Sequence, residues 1–215
     1  MSRAYFLTGT DTGVGKTLIS AALLRAAAAQ GLRALGMKPV AAGDAGDVDA
    51  LIAAGSGVAP REAVNPYLLR EPLSPHLAAR RDGVAIDLEV IARRFGELRG
   101  QADFLIVEGA GGFRVPLSDT QDGTDLAARL GLPVILVVGL RLGCLNHALL
   151  TAEAIRARGL RLAGWVANQV DARMACVAEN VETLRARLGA PLLGFVPYQA
   201  QPDPAQVASL LALPA

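Results

Sequence analysis

Nine consecutive residues, Gly9-Thr10-Asp11-Thr12-Gly13-Val14-Gly15-Lys16-Thr17, have the composition of a loop that holds phosphate. They follow a short β-rich run and open a helical stretch. In that setting successive backbone N–H groups and a helix N-terminus face phosphate oxygens. Lys16 would reach the β- and γ-phosphates, and the Thr17 hydroxyl would ligate Mg²⁺. The spacing departs from the strict pattern, because Thr10 holds the first glycine position and Gly9 lies one residue early. The competing reading is a glycine-rich turn that binds nothing. The flanking strand and helix and the intact Gly15-Lys16-Thr17 end favour a nucleotide.

Glu108 closes the apolar run 104–107 and is followed at once by Gly109-Ala110-Gly111-Gly112. In an open α/β sheet the C-terminal ends of the strands face the ligand crevice. A hard carboxylate there suits Mg²⁺, and the plainer alternative is a cap or a loop salt bridge. Lys38 ends the run 35–37. There it either holds a phosphoryl group or carboxylate, or is a solvated strand-end lysine. Asp44, Asp47 and Asp49 follow in a glycine-rich loop. Asp47 or Asp49 reads either as a helix N-cap or as a second Mg²⁺ carboxylate.

Six short strands must position these groups: 5–8, 32–37, 104–107, 134–138, 162–167 and 192–196. Helices are expected over 16–30, 87–98, 122–130, 146–158 and 173–188. Gly31, Gly131, Gly159 and Gly189 stand where a helix should stop, a place that tolerates positive φ. Strands apolar on both faces and alternating with helices argue for one parallel, doubly wound α/β sheet. The segment 64–83, with Pro66, Pro72 and Pro75, reads as irregular, and loops that long are often functional.

The 215 residues suit one domain, and a formal net charge of +1 points to neither nucleic acid nor a membrane surface. The hydrophobic share is 52% with 4% aromatics, so alanine, leucine and valine must build the core. Two cysteines, Cys144 and Cys176, provide no disulfide framework, which fits a reduced, cytoplasmic setting. The start does not read as a signal peptide, and the longest apolar run, 132–140, is too short to span a bilayer.

Taken in order, the runs at 5–17, 36–40, 65–67, 74–76, 107–112, 116–119, 133–139, 142–148, 164–168 and 191–197 resemble the dethiobiotin synthetase family over nearly the full length. The resemblance implies a single domain over residues 1–215, a P-loop NTPase-like three-layer sandwich. It implies an ATP- and Mg²⁺-dependent ligase acting on 7,8-diaminopelargonic acid and CO₂, with a carbamate and then a carbamic-phosphoric anhydride before the cyclic urea closes. By the same resemblance Gly13, Val14, Gly15, Lys16, Thr17 and Leu18 would hold the phosphates. Lys38 would stabilise the carbamate and the phosphoryl group in flight. Thr17, Asp49 and Glu108 would surround Mg²⁺, and Glu108, Gly109, Ala110 and Gly111 would line the meeting point of substrate and γ-phosphate. Asn168 and Gln169, with Pro197, Tyr198 and Gln199, would form the base pocket. Thr12 and Ala42 would touch the substrate, Ala42 standing where the family often carries a hydroxyl. Gly143, Cys144, Leu145 and Asn146 would present a helix N-terminus to the substrate carboxylate from the other subunit of a homodimer.

A rival reading on the same fold is a dimerising partitioning or cell-division-positioning ATPase switch. Such proteins carry a lysine five residues before the phosphate-loop lysine, where this chain has Asp11, and a basic or membrane-binding face. Residues 207–213 contain no lysine or arginine.

Overall fold

The computed structural model of the chain describes residues 2–215. Strand β1 (Arg3–Gly9) leads through the phosphate loop to α1 (Lys16–Ala29), β2 (Ala34–Met37), β3 (Val40–Ala42) and α2 (Gly46–Ala54). Next come α3 (Arg61–Val64), β4 (Tyr67–Leu69), α4 (Pro75–Asp82), α5 (Leu88–Arg99) and β5 (Phe104–Gly112). The chain continues with α6 (Gly123–Leu130), β6 (Val134–Leu140), α7 (Cys144–Ala157) and β7 (Leu162–Gln169), then α8 (Val177–Leu188), β8 (Leu192–Val196) and α9 (Pro204–Ala208).

Six strands form one sheet in the order β2-β5-β1-β6-β7-β8, every pair parallel. The central strands β1, β5 and β6 bury both faces, and their residues alternate between two cores as the period of two demands. Tyr5 and Leu7 of β1 and Phe104 and Ile106 of β5 pack toward α1. Ala4, Phe6, Leu105 and Val107 point the other way, toward α5 and α6. Leu136 and Val138 of β6 meet α7 and α8 on that second face. The result is the helix–sheet–helix sandwich that the alternation implied.

The helix stops behave as expected. Gly31, Gly131, Gly159 and Gly189 all have positive φ. Asp87 caps α5 through the Glu89 N–H, and Asp122 forms a reciprocal cap with Asp125 on α6.

Three expectations are corrected. The segment 64–83 is not irregular: it holds β4 and α4, and β4 pairs with β3 in a separate two-stranded parallel sheet. Helix α7 begins at Cys144 and not at 146, because Gly143 turns the chain at φ 93°. Helix α8 begins at Val177 and not at 173. The Asp171 carboxylate takes the Arg173 N–H in a turn, and Cys176 sits at φ 53°.

The C-terminal residues close the α1 face. The Ala212 N–H donates to the Leu193 carbonyl at 2.8 Å, and the Tyr5 hydroxyl donates to the Pro214 carbonyl at 3.2 Å. Gly194 is what lets the tail approach, since a Cβ there would lie 2.3 Å from the Leu210 carbonyl oxygen. Gly194→Ala should therefore destabilise the protein by roughly 1–3 kcal/mol, the usual cost of forced overpacking. That corresponds to about 2–4 °C in Tm per kcal/mol. Calorimetry checks this, and an unchanged Tm would mean that the tail does not pack on β8.

Candidate active site

The site assembles at the C-terminal ends of β1, β2 and β5, on the edge where open parallel sheets bind ligands. The phosphate loop is held by its own valine. Val14 is fully buried, and its side chain fills the space that missing Cβ atoms leave at Gly9 and Gly139. Gly13 and Gly15 take φ of 73° and 89°, a region that suits glycine. The Gly139 N–H donates to the Thr10 hydroxyl at 3.3 Å, and Arg141 pairs with Asp11 at 2.5 Å. The loop is thus tied to β6.

Sheet register brings the charged groups together. Met37 of β2 pairs with Val107 of β5, so the next residues, Lys38 and Glu108, leave neighbouring strands side by side. Lys38 Nζ donates to Glu108 Oε1 at 2.6 Å and to Asp47 Oδ2 at 2.7 Å. The Thr17 hydroxyl lies 2.8 Å from both Asp47 Oδ1 and Glu108 Oε1. Glu108 has no exposed surface, and its Oε2 has no hydrogen-bond partner among the described residues.

These contacts set the protonation. Burial pulls Lys38 down, but the charges of Glu108 and Asp47 and their hydrogen bonds prevail and hold its pKa above the ordinary lysine value. Burial pushes Asp47 up, yet Lys38 and the Thr17 hydroxyl outweigh it and keep the carboxyl below its usual range. Lys16 is different. Burial, then the positive charge of Lys38, lowers it to about 8, and its ammonium rests on the Asp11 carbonyl at 2.9 Å. A buried cation with a poor partner is a ready receptor for an anion.

One arrangement is unfavourable as it stands. The Thr17 hydroxyl has a single proton and cannot donate to both carboxylate oxygens at 2.8 Å. One lone-pair contact therefore remains beside an orphaned Glu108 oxygen. Two carboxylates and a hydroxyl converging in this way fit a hard divalent cation such as Mg²⁺, which takes one or two protein carboxylates.

Most of the sequence-predicted residues fall into three groups, and the fully buried Val14 and Glu108 line neither hollow. Thr12, Gly13, Gly15, Lys16, Thr17, Leu18, Lys38, Ala42, Ala110 and Gly111 line a single cleft of about 680 Å³. Leu18, Asn168, Gln169, Pro197, Tyr198 and Gln199 line a second hollow, and Gly13, Gly15 and Leu18 border both. Gly143, Cys144, Leu145 and Asn146 open α7 but line neither. Gly109 turns inward, where a Cβ would lie 3.1 Å from the Phe6 ring.

The structure sets Asp49 apart from the cluster. It is 62% exposed at its side chain and pairs with Arg61 at 2.5 Å, while Asp47 takes the place beside Thr17 and Lys38. Both lie in the first turn of α2, and two residues along a helix rotate a side chain by about 200°. Neither is the N-cap, which is Ala45. Sequence reading assigned no role to Asp44 or to residues 72–75, which also line the cleft. The run of prolines and the conspicuous 74–76 motif were the available signal.

A family model described as an AAA domain matches residues 3–206. ATP-dependent dethiobiotin synthetase BioD of Aromatoleum aromaticum is 58% identical over 220 residues, covering 99% of this chain and 98% of that protein. The protein of the same name from Nitrosospira multiformis is 55% identical, with 98% and 95% covered.

The chain belongs to the dethiobiotin synthetase family.

Among solved structures, the septum site-determining protein MinD with Mg-ADP from Pyrococcus horikoshii superposes with a TM-score of 0.60 at 17% identity, over 98% of this chain and 86% of that one. A ParA family ATPase from Chlorobium tepidum gives 0.57 at 14% identity, over 93% and 86%. At that identity these establish the fold that this dethiobiotin synthetase family member shares with the two proteins, and nothing further.

The Asp47–Asp49 contrast is directly testable. Asp47→Asn should lower ATP-dependent turnover by about 10²-fold, the scale of losing one preorganised charged group. Asp49→Asn should stay within about twofold, as expected for an exposed ion pair. Steady-state ADP release measures both, and the reverse order would return the role to Asp49.

Proposed function

We propose that the chain is a single-domain dethiobiotin synthetase that uses ATP, CO₂ and 7,8-diaminopelargonate to close a cyclic urea. The observation that carries this reading is the set of Lys16, Lys38, Thr17 and Asp47 lining one cleft, with the buried Glu108 bonded to Lys38 and Thr17 behind them, in a chain 58% identical to ATP-dependent dethiobiotin synthetase BioD of Aromatoleum aromaticum. The cleft lies within the usual size range of small-molecule sites.

ATP lies with its phosphates on residues 13–18 and its base in the hollow formed by Asn168, Gln169, Pro197, Tyr198 and Gln199. One amine of the substrate takes up CO₂ as a carbamate. The carbamate oxygen attacks the γ-phosphorus and ADP leaves. The second amine then attacks the carbonyl of the mixed anhydride, closing the ring and releasing phosphate. The chain forms no covalent bond to substrate, so positioning and charge supply the rate. Lys16, drawn off the Asp11 carbonyl by the phosphates, places its positive charge on the β/γ side. Lys38 faces the cleft from the substrate side and neutralises the carbamate and the moving phosphoryl group. Thr17, Asp47 and Glu108 would hold Mg²⁺, which would supply positive charge to offset that of the phosphates.

We further propose a cytoplasmic homodimer with no nucleic-acid or membrane partner. Among the described residues no helix is long and apolar enough to cross a membrane. Within one chain the helix start at 143–146 lines neither hollow, while the neighbouring Leu142 is 98% exposed. That leaves the helix N-terminus free to meet the substrate carboxylate of a partner's site.

ADP release measured with and without diaminopelargonate and bicarbonate tests the reaction. Release should require both, and a rate indifferent to them would indicate a switch ATPase. For the shared site, inactive Lys16→Ala and Leu145→Asp proteins are refolded together at equal ratio. Statistics give about half mixed dimers, each with one intact site, so activity should recover to about a quarter of wild type. No recovery, with mixed dimers confirmed by mass, places each site within one chain.

A further inference from the structure

Asn168 stands at the end of β7, 5% exposed, where a base-reading residue would need only to face the hollow. Its geometry says more. Its Nδ2 donates to the Val14 carbonyl at 2.8 Å, a buried bond across 154 residues of sequence. The same nitrogen would lie 2.3 Å from any Cβ at Gly15, so the amide presses directly beneath the loop.

The consequence follows from peptide geometry. In a trans peptide the C=O and the following N–H point in opposite directions. Drawing the Val14 carbonyl down onto Asn168 turns the Gly15 N–H away from the sheet, toward the side where phosphate would lie. That N–H makes no backbone hydrogen bond among the described residues. Gly15 accepts the orientation because it sits at φ 89°. Meanwhile the Val14 side chain is packed against Gly9 and Gly139, so the Val14–Gly15 peptide is held from both its side chain and its carbonyl.

We infer that Asn168 is a positioning residue for the phosphates, bracing the Val14–Gly15 peptide so that the loop is preset for a triphosphate whether or not a base is present. The inference rests on reading residues 9–17 as the phosphate site and adds a role that base recognition does not require.

The test uses a ligand without a base. Dissociation constants for magnesium tripolyphosphate and magnesium ATP are measured by calorimetry on the wild-type protein and on Asn168→Asp, Asn168→Leu and Tyr198→Ala. Asn168→Asp is nearly isosteric and keeps an acceptor for a base, but sets a carboxylate oxygen against the Val14 carbonyl. A buried acceptor that loses its donor weakens the structure that needs it. Both Asn168 variants should bind tripolyphosphate roughly tenfold more weakly, with a similar loss for ATP, at unchanged helicity. Tyr198→Ala should weaken ATP and leave tripolyphosphate within about twofold. Tripolyphosphate binding within twofold of wild type in the Asn168 variants, with ATP weakened, would overturn the brace and leave base reading alone. Should the variants not fold, the wild-type protein decides. Its Asn168 side-chain amide resonances should shift when tripolyphosphate is added, and their constancy would overturn the proposal. A wild-type protein that binds neither ligand overturns the phosphate-site reading itself, and the brace with it.

Discussion

The ion pair between Lys38 and Glu108, closed at 2.6 Å with almost no exposure of either side chain, is the contact on which the site depends. A carboxylate with no access to water is costly unless a partner charge and hydrogen bonds compensate it, and removing either partner strands the other. The pair cannot form unless β2 and β5 run parallel in the register that sets Met37 beside Val107. Helix α2 adds Asp47, whose Oδ2 lies 2.7 Å from the same Lys38 Nζ. Fold and site are therefore one problem: the sheet supplies the coincidence of strand ends, and the strand ends supply the charge.

Around that pair the two lysines are driven in opposite directions by the same burial. Lys38 has two carboxylates and is held charged. Lys16 has only a carbonyl and feels Lys38 as a like charge, so it falls to about 8. One cation is committed to the protein and the other waits for an anion. That asymmetry suits a reaction in which phosphate arrives on one side and the nucleophile on the other, and it follows from the partners each lysine has.

Much of this was legible in the residues. The six sheet strands follow from apolar runs bounded by turns, and the glycine stops after α1, α6, α7 and α8 from the need for positive φ. The loop from Gly9 to Thr17, Lys38 and Glu108 could be placed at strand ends because strand ends in this architecture share one edge. Asp47 could not be separated from Asp49, since both open the same helix and the phase of α2 is set by how Val48, Leu51 and Ala54 pack, not by the acids. The segment 64–83 was unreadable for a related reason. Its strand is three residues long and takes its ladder from β3, a pairing no local pattern encodes. The bond from Asn168 to Val14 joins residues 154 apart in the sequence, so no local pattern shows it.

The division of labour between the lysines is the central claim, and Lys38→Met tests it most directly. The substitution keeps the stem and removes the charge. Turnover number and the calorimetric ADP dissociation constant are measured on the same preparation. A kcat reduced by about 10²–10³-fold, with the ADP constant within about twofold, is the predicted result. Equal losses in both would place Lys38 in the nucleotide pocket and contradict the account.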